Sequence, residues 1–194
     1  MRGSLRCFGV IALIAAGCGD DPAPLTGQAS WADSCPPGAN CLPRTHSVRG
    51  SLGSPTVDVD CQLAQVTGGY NVFFRIASVS MGQTFDESQE GLLATGFLPG
   101  IGQELRTAPN MNGYVSVKGL GWSVAMATVG PTGQCHVFID RIASGGYVGR
   151  ISCPAVMDDQ TPPTTRIIRA GVSSAVPPTP EFGEFVFTNC ATGG

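Results

Sequence analysis

Positive charge is scarce in this sequence, and lysine is almost absent. Of 194 residues, 11 are basic and 14 acidic, Lys118 is the single lysine, and the arginines are scattered along the chain. Nucleic-acid binding depends on clustered lysine and arginine side chains that neutralise phosphates. We therefore expect no nucleic-acid partner.

The chain also lacks a hydrophobic run long enough to span a bilayer. The amino-terminal run covers only residues 7–16, whereas a membrane-spanning helix needs about 20 apolar residues. Arg2 and Arg6 precede this run, and the small residues Ala15-Ala16-Gly17 end it. A positive segment, a short apolar segment and small residues in this order predict a secretory signal.

Cys18 stands directly after these small residues, which is not a feature of an ordinary signal. The segment Ala15-Ala16-Gly17-Cys18 resembles the lipobox of bacterial lipoproteins, although Ala15 occupies the position where leucine is most frequent. The resemblance implies cleavage before Cys18 and acylation of its thiol. It also implies an exported chain whose acyl chains enter a membrane of the cell envelope, with the outer membrane or cell surface favoured over the inner membrane. In the alternative, an ordinary secretory signal is cut near Gly17 or Gly19 and Cys18 carries no lipid.

The cysteines behind Cys18 form an even set, which in an exported chain predicts three disulfides. The six are Cys35, Cys41, Cys61, Cys135, Cys153 and Cys190. No C-x-x-C pair occurs, and neither His46 nor His136 lies at ligand spacing from a cysteine pair, so we do not expect zinc. We assign neither a metal nor a cofactor.

Spacing favours one pairing of these cysteines. Five turn-forming residues separate Cys35 from Cys41, so we expect a local bond between them. Cys135 and Cys153 lie opposite each other if the hairpin between them turns about Ser144, and a cross-strand bond there needs a pair that is not hydrogen-bonded. The favoured pairs are Cys35–Cys41, Cys61–Cys190 and Cys135–Cys153. In the alternative, Cys135 and Cys153 each bond to Cys61 or Cys190.

Alternating apolar and polar residues begin after Gly50 and predict short strands separated by glycine, proline and asparagine turns. The predicted strands cover residues 55–61, 70–79, 91–98, 114–118, 122–129, 166–172 and 184–190, with a hairpin from Cys135 to Cys153. Eight or nine such strands predict an all-β fold, either an antiparallel β-sandwich or a partly closed barrel, braced by disulfides.

Residues 19–50 are rich in proline, alanine, glycine and serine and show no sustained period. Such a composition favours a flexible linker. The predicted organisation is a signal peptide over residues 1–17, a lipidated flexible tether over 18–50 and a single all-β domain over 51–194.

Candidate catalytic residues are few. His136 is the single histidine of the predicted domain, Asp140 of the same strand is about 13 Å from it, and no G-x-S-x-G motif occurs. We interpret His136 as a surface or edge-strand residue and assign no catalytic residue.

The segment from Val176 to Pro180 cannot form a central strand, because its prolines lack the backbone N–H groups that pair neighbouring strands.

Several acidic residues stand close together in the sequence. They are Asp58, Asp60, Asp86, Glu87, Glu90, Asp158 and Asp159. We interpret two pairs, Asp58 with Asp60 and Asp158 with Asp159, as solvated charge. Calcium is the alternative for the second pair and for the group at 86–90, because hard cations need several oxygen ligands. Neither stretch has EF-hand spacing, so no metal site is assigned.

Aromatic side chains could form a platform for sugars or peptides. Trp122 is the strongest candidate, although a buried core tryptophan is the favoured interpretation. The sequence thus predicts a membrane-anchored, exported and non-enzymatic lipoprotein that displays a β-sandwich for binding or envelope support. The alternative is a periplasmic or surface hydrolase with His136 or an acidic pair in a cleft.

Overall fold

The computed structural model describes residues 23–39, 41–143, 145–169 and 183–192. These ranges contain β1 (Thr26–Ser34), β2 (Arg44–Ser51), β3 (Val57–Val66), β4 (Gly69–Ser78), β5 (Glu90–Leu98), β6 (Tyr114–Gly119), β7 (Trp122–Thr128), β8 (His136–Ala143), β9 (Gly146–Met157), β10 (Thr165–Arg169) and β11 (Gly183–Thr188). Their helical structure is the single 3-10 turn Phe85–Glu87. No helix in these ranges is long and apolar enough to cross a membrane.

The strands form two antiparallel sheets that enclose one hydrophobic core. In the six-stranded sheet, β2 pairs with β1, β1 pairs with both β10 and β11, and these two pair with β9, which pairs with β8. The five-stranded sheet follows chain order from β3 to β7. The predicted all-β, disulfide-braced sandwich is therefore confirmed, and Val137 lies opposite Ile151 in the predicted hairpin.

β10 and β11 lie end to end and together occupy one strand position of the six-stranded sheet, between β1 and β9. We call this shared position the line. Arg169, the last residue of β10, pairs with Ser152 of β9, and Gly183, the first residue of β11, pairs with Ile151. Because Ser152 and Ile151 are consecutive in β9, Arg169 and Gly183 stand at consecutive positions of the line.

The pairing with β1 gives the same result from the other side. Ala32 pairs with Arg169, and Ala29, three positions earlier, pairs with Phe185. Residues 170–182 are therefore an insertion between two adjacent positions of one strand. The last residues of the strand predicted at 166–172 and the proline-rich segment at 176–180 lie in this insertion, outside the described residues.

Aromatic rings at the centre of the core join the two sheets. Phe74 of β4 packs against Phe185 of β11, with ring centroids 4.3 Å apart, and against Phe187 at 5.1 Å. Tyr147 of β9 donates its hydroxyl to the Phe73 carbonyl at 2.7 Å. A buried tyrosine needs such a partner for its hydroxyl, so this bond fixes the spacing of β4 and β9.

Residues 26–51 belong to the fold, so the tether predicted over 18–50 is wrong for them, and so is the predicted domain boundary at 51. β1 and β2 pair in register from Thr26↔Ser51 to Asp33↔Arg44. The inward face of β1 carries Gly27, Ala29, Trp31 and Asp33. Small and polar residues on a core-facing side do not produce an apolar alternation, which is why the sequence pattern did not reveal this strand. At Gly27 a Cβ atom would lie 2.7 Å from the Phe187 ring, so the core requires glycine there.

Three disulfides brace the sandwich with the favoured pairing. They join Cys35 to Cys41, Cys61 to Cys190 and Cys135 to Cys153. The second bond spans 129 residues and ties β3 of one sheet to the end of β11 in the other. A loop of that length corresponds to roughly 5 kcal/mol in the chain-entropy account of disulfides.

A segment between β5 and β6 closes one side of the sandwich, and we call residues 102–106 the bridging segment. The Phe97 and Arg106 backbones exchange two hydrogen bonds of 2.9 Å, and the Leu105 amide donates to the Val137 carbonyl at 2.7 Å. The segment therefore lies between β5 and β8, with the Leu105 side chain fully buried. It covers an edge of β8 that would otherwise expose unpaired backbone groups.

Deleting residues 170–182, so that Gly183 follows Arg169 directly, is expected to preserve the fold. The two residues already stand at consecutive register positions, and the deletion removes a loop-closure cost on the order of 2 kcal/mol. Thermal unfolding monitored by circular dichroism should stay cooperative, with a Tm no lower than that of the wild type. Deleting residues 100–112, a segment of equal length, should abolish cooperative unfolding because it removes the bridging segment. Loss of the fold in the first variant would show that the strand line is not continuous.

Candidate functional site

Charges of alternating sign are buried between the two sheets. The residues, which we call the inter-sheet ion cluster, are Glu90 of β5, His46 of β2, Asp33 of β1, Arg166 of β10 and Asp158 after β9. The side chains of Asp33 and Asp158 have no exposed surface, and that of Glu90 is one-quarter exposed. Charged groups lie this deep in proteins only when they are paired.

His46 is hydrogen-bonded to a carboxylate through each ring nitrogen. Its Nε2 lies 2.8 Å from Asp33 Oδ1 and its Nδ1 lies 2.7 Å from Glu90 Oε1. Burial alone would lower the pKa of His46, but the hydrogen bonds and negative charges of Asp33 and Glu90 outweigh burial and raise the pKa above its usual 6.5. Two carboxylate partners require two N–H donors, so the geometry favours the imidazolium form.

Arg166 continues the cluster toward the opposite end. Its Nη1 donates to Asp33 Oδ2 and its Nε donates to Asp158 Oδ2, both at 2.7 Å. Its guanidinium lies over the Trp122 ring, with Cζ 4.5 Å from the ring centroid. The other oxygen of Asp158 accepts the Thr164 amide at 2.8 Å. Every charge in this part of the cluster therefore has a close hydrogen-bonded partner.

The inter-sheet ion cluster holds strands in place and offers little for catalysis. His46 is 2% exposed, and both of its ring nitrogens are occupied. A general base needs a free nitrogen within reach of a substrate proton. The cluster instead joins β1, β2 and β10 of one sheet to β5 of the other.

The cluster could not be found from hydrophobic patterning, because its members replace apolar residues at core-facing positions. Asp33 and His46 fell in the predicted tether, and the interpretation of Asp158 as solvated charge is wrong, since Asp158 is 5% exposed. The period of two that Asp33 shares with Trp31, and His46 with Val48, is the signal that could have revealed them.

His136 lies on β8 with its side chain 31% exposed. Its Nδ1 is 2.6 Å from Glu104 Oε1 of the bridging segment, a partner that the sequence did not indicate. Asp140 instead pairs with Arg150, at 2.8 Å in two bonds. Ser152 lies opposite His136 in the register, but no hydrogen bond joins the two side chains within the part of the chain that the structure describes. Glu104 and His136 are thus hydrogen-bonded to each other, but among the described residues Ser152 is not joined to them.

Three of the other acidic residues, Asp58, Asp159 and Glu87, have structural contacts. Asp58 accepts the Phe85 amide at 3.0 Å. Asp159 accepts the Ser123 hydroxyl at 2.6 Å and the Ser123 amide at 2.7 Å, and these hydrogen bonds lower the pKa of Asp159. Glu87 accepts the Thr84 amide. In the described ranges, no three His, Cys, Asp or Glu side chains are grouped closely enough to hold a metal ion.

Both tryptophans are core residues, so the favoured interpretation of Trp122 is confirmed and the alternative of an aromatic platform is wrong. Trp31 is fully buried and stacks on His46, with centroids 5.2 Å apart, and Trp122 is 5% exposed. Their indole N–H groups have no hydrogen-bond partner among the described residues. The two rings shield the inter-sheet ion cluster from water.

A groove of about 660 Å³ lies at one end of the five-stranded sheet, between the β3–β4 turn and the loop that follows the bridging segment. Its volume falls in the range of small-ligand sites. The lining side chains include Val66, Asn71, Phe97, Arg106, Thr107 and Met111. Arg106 is the one charged residue of this lining, which contains no acid among the described residues.

The bridging segment sets the position of Arg106 in the groove. Backbone pairing holds Arg106 opposite Phe97, and the guanidinium lies over the Phe97 ring, with Cζ 5.6 Å from the centroid. Stacking on an aromatic face restrains a guanidinium while leaving its in-plane N–H donors available. The groove therefore contains a restrained cation beside neutral polar and apolar side chains.

Comparison of this chain with protein families, with curated proteins and with solved structures found no match.

Replacing Asp33 with alanine is expected to lower the free energy of unfolding by about 3–5 kcal/mol, because Arg166 and His46 would lose a buried counter-charge. The matched control is Asp140→Ala, which removes an exposed carboxylate paired with Arg150 and should cost about 1 kcal/mol or less. Urea denaturation measures both values. Equal losses in the two variants would contradict the structural role of the inter-sheet ion cluster.

Stability should fall as the pH rises above about 6.5. Because the pKa of His46 is higher in the folded than in the unfolded chain, its contribution is complete below the unfolded value and is lost as pH rises through the folded value. Denaturation curves from about pH 6 to about pH 9 should show this slope in the wild type and in His136→Gln, and a smaller slope in His46→Gln. The same slope in all three proteins would rule out His46 as its source.

Proposed function

We propose that this chain is an exported lipoprotein, anchored to the bacterial cell envelope by acyl chains on Cys18, whose non-enzymatic domain serves in binding or envelope support. The observation that carries the proposal is the use of the cysteines. Six of the eight are paired in disulfides, and the other two are Cys7, which begins the apolar run, and Cys18, which follows Gly17 just after the run. An acylated Cys18 leaves no odd thiol in the mature chain.

The disulfides indicate an oxidising compartment. Cys61, Cys135 and Cys153 have no exposed surface, and Cys190 is 6% exposed. Buried bonds of this kind become part of the core, so the chain needs an environment that forms them during folding. Export supports the proposed lipid anchor, since acylation of a lipobox cysteine takes place at the membrane.

The proposed anchor lies close to the folded domain. The Leu52 amide donates to the Leu25 carbonyl, and Asn189 donates to the Pro24 carbonyl, so the domain begins at about Pro24. Five residues separate Cys18 from Pro24, a span of at most about 20 Å. An acylated Cys18 would therefore keep the sandwich near the membrane surface.

The geometry supports a binding or structural role better than hydrolysis. The hydrolase alternative needs His136 or an acidic pair in a cleft. Among the described residues, neither His136 nor an acid lines the groove beside Arg106, and no hydrogen bond joins His136 to Ser152, which lies opposite it in the register. The groove itself offers a cation, an amide, a hydroxyl and apolar side chains, which are groups that bind a ligand.

Replacing Cys18 with serine tests the anchor, because serine cannot form the thioether that attaches the lipid. The wild type produced in a bacterial host should partition into the detergent phase, and its intact mass should exceed that of residues 18–194 by the acyl groups. Cys18→Ser should lack this added mass and should leave the detergent phase.

Cys7→Ser is the matched control, since Cys7 would be removed with the signal and the mature mass should equal that of the wild type. A wild-type product whose mass matches the bare polypeptide would contradict the proposal. So would detergent partitioning that is unchanged in Cys18→Ser.

A further inference from the structure

We infer that the groove beside Arg106 binds the free carboxyl terminus of an extended peptide whose last side chain is apolar. The inference rests on the proposed binding function and names its ligand. It follows from the charge of the groove, from the polarity of its lining and from the restraint on the Arg106 side chain.

Arg106 is available to an anion. Its side chain is exposed and forms no ion pair with an acid in the described ranges. Glu104, two positions earlier, is already bonded to His136 at 2.6 Å. A guanidinium whose plane is set by an aromatic ring can bind both oxygens of a carboxylate at once, with little loss of side-chain freedom.

The rest of the lining suits the end of a peptide. Val66, the last residue of β3, is 37% exposed, and Met111 of the same groove is half-buried, so an apolar side chain can be covered there. Asn71 can donate and accept hydrogen bonds. Thr107 accepts the Gly113 amide at 3.3 Å, which leaves its hydroxyl hydrogen for a ligand. Peptide N–H and C=O groups need neutral donors and acceptors of this kind.

An acidic sugar is a poorer match for the same charge. Sugars usually stack on an open aromatic face, but the Arg106 guanidinium already lies over the Phe97 ring. Nor is a nucleic acid a match, because a single arginine cannot neutralise a row of phosphates.

The test titrates the detergent-solubilised mature protein with N-acetyl-alanyl-alanyl-leucine, by calorimetry. The same peptide with a carboxyl-terminal amide is the matched ligand. The free acid should bind, and the amide should bind at least about tenfold more weakly, because it lacks the charge that Arg106 recognises. Arg106→Gln should weaken binding of the free acid by at least about tenfold.

Arg49→Gln, which removes an exposed arginine of the other sheet, should leave binding unchanged. The Tm of Arg106→Gln should equal that of the wild type, since Arg106 is exposed. Binding absent at about 5 mM free acid would overturn the inference. Equal binding of acid and amide, or binding of glucuronate without the peptide, would also overturn it. The intact mass of the same sample reports acylation, so a failure of the peptide site and a failure of the Cys18 anchor are distinguishable.

Discussion

The carboxylate of Asp33 accepts hydrogen bonds from His46 and Arg166 where water cannot reach it. This contact aligns β1, β2 and β10, and the bond from His46 to Glu90 extends the alignment to β5 of the other sheet. Buried charges are stable only while each keeps its partner at hydrogen-bond distance. A slip of β1 by one residue would turn Asp33 to the outside and remove the carboxylate that His46 and Arg166 share. The core aromatic rings supply apolar burial, but the inter-sheet ion cluster restricts that burial to one register.

The elements that the sequence predicted are those whose inward residues are apolar. Val57 and Val59 alternate with aspartates and mark β3, and the register of the β8–β9 hairpin follows from Val137, Ile151 and the cysteines that flank it. β1 and β2 were not predicted because glycine, alanine, aspartate and histidine face the core there. The groove could not be predicted either, since Arg106 meets Phe97 only after the bridging segment joins the two sheets, and a sequence pattern does not report non-local contacts.

The disulfides and the proposed anchor address the same physical problem. A domain in an oxidising compartment can be stabilised by disulfides. The bond between Cys61 and Cys190 joins residues 129 positions apart and therefore restricts the unfolded chain strongly. The first strand begins only a few residues after Cys18, so the sandwich itself, rather than a long tether, would set how the groove is presented. The bridging segment likewise has two roles, because it covers the edge of β8 and positions Arg106 in the groove.

The charge state of His46 tests this account most directly. Nitrogen NMR of the histidine rings at pH 6.5, the usual pKa of the group, can be assigned with His136→Gln because the chain has only two histidines. The account predicts that more than half of the molecules carry protons on both His46 nitrogens, and that this fraction falls only at higher pH. A mostly neutral ring at pH 6.5 would contradict it, since the two carboxylates would then not hold the charge that aligns the sheets.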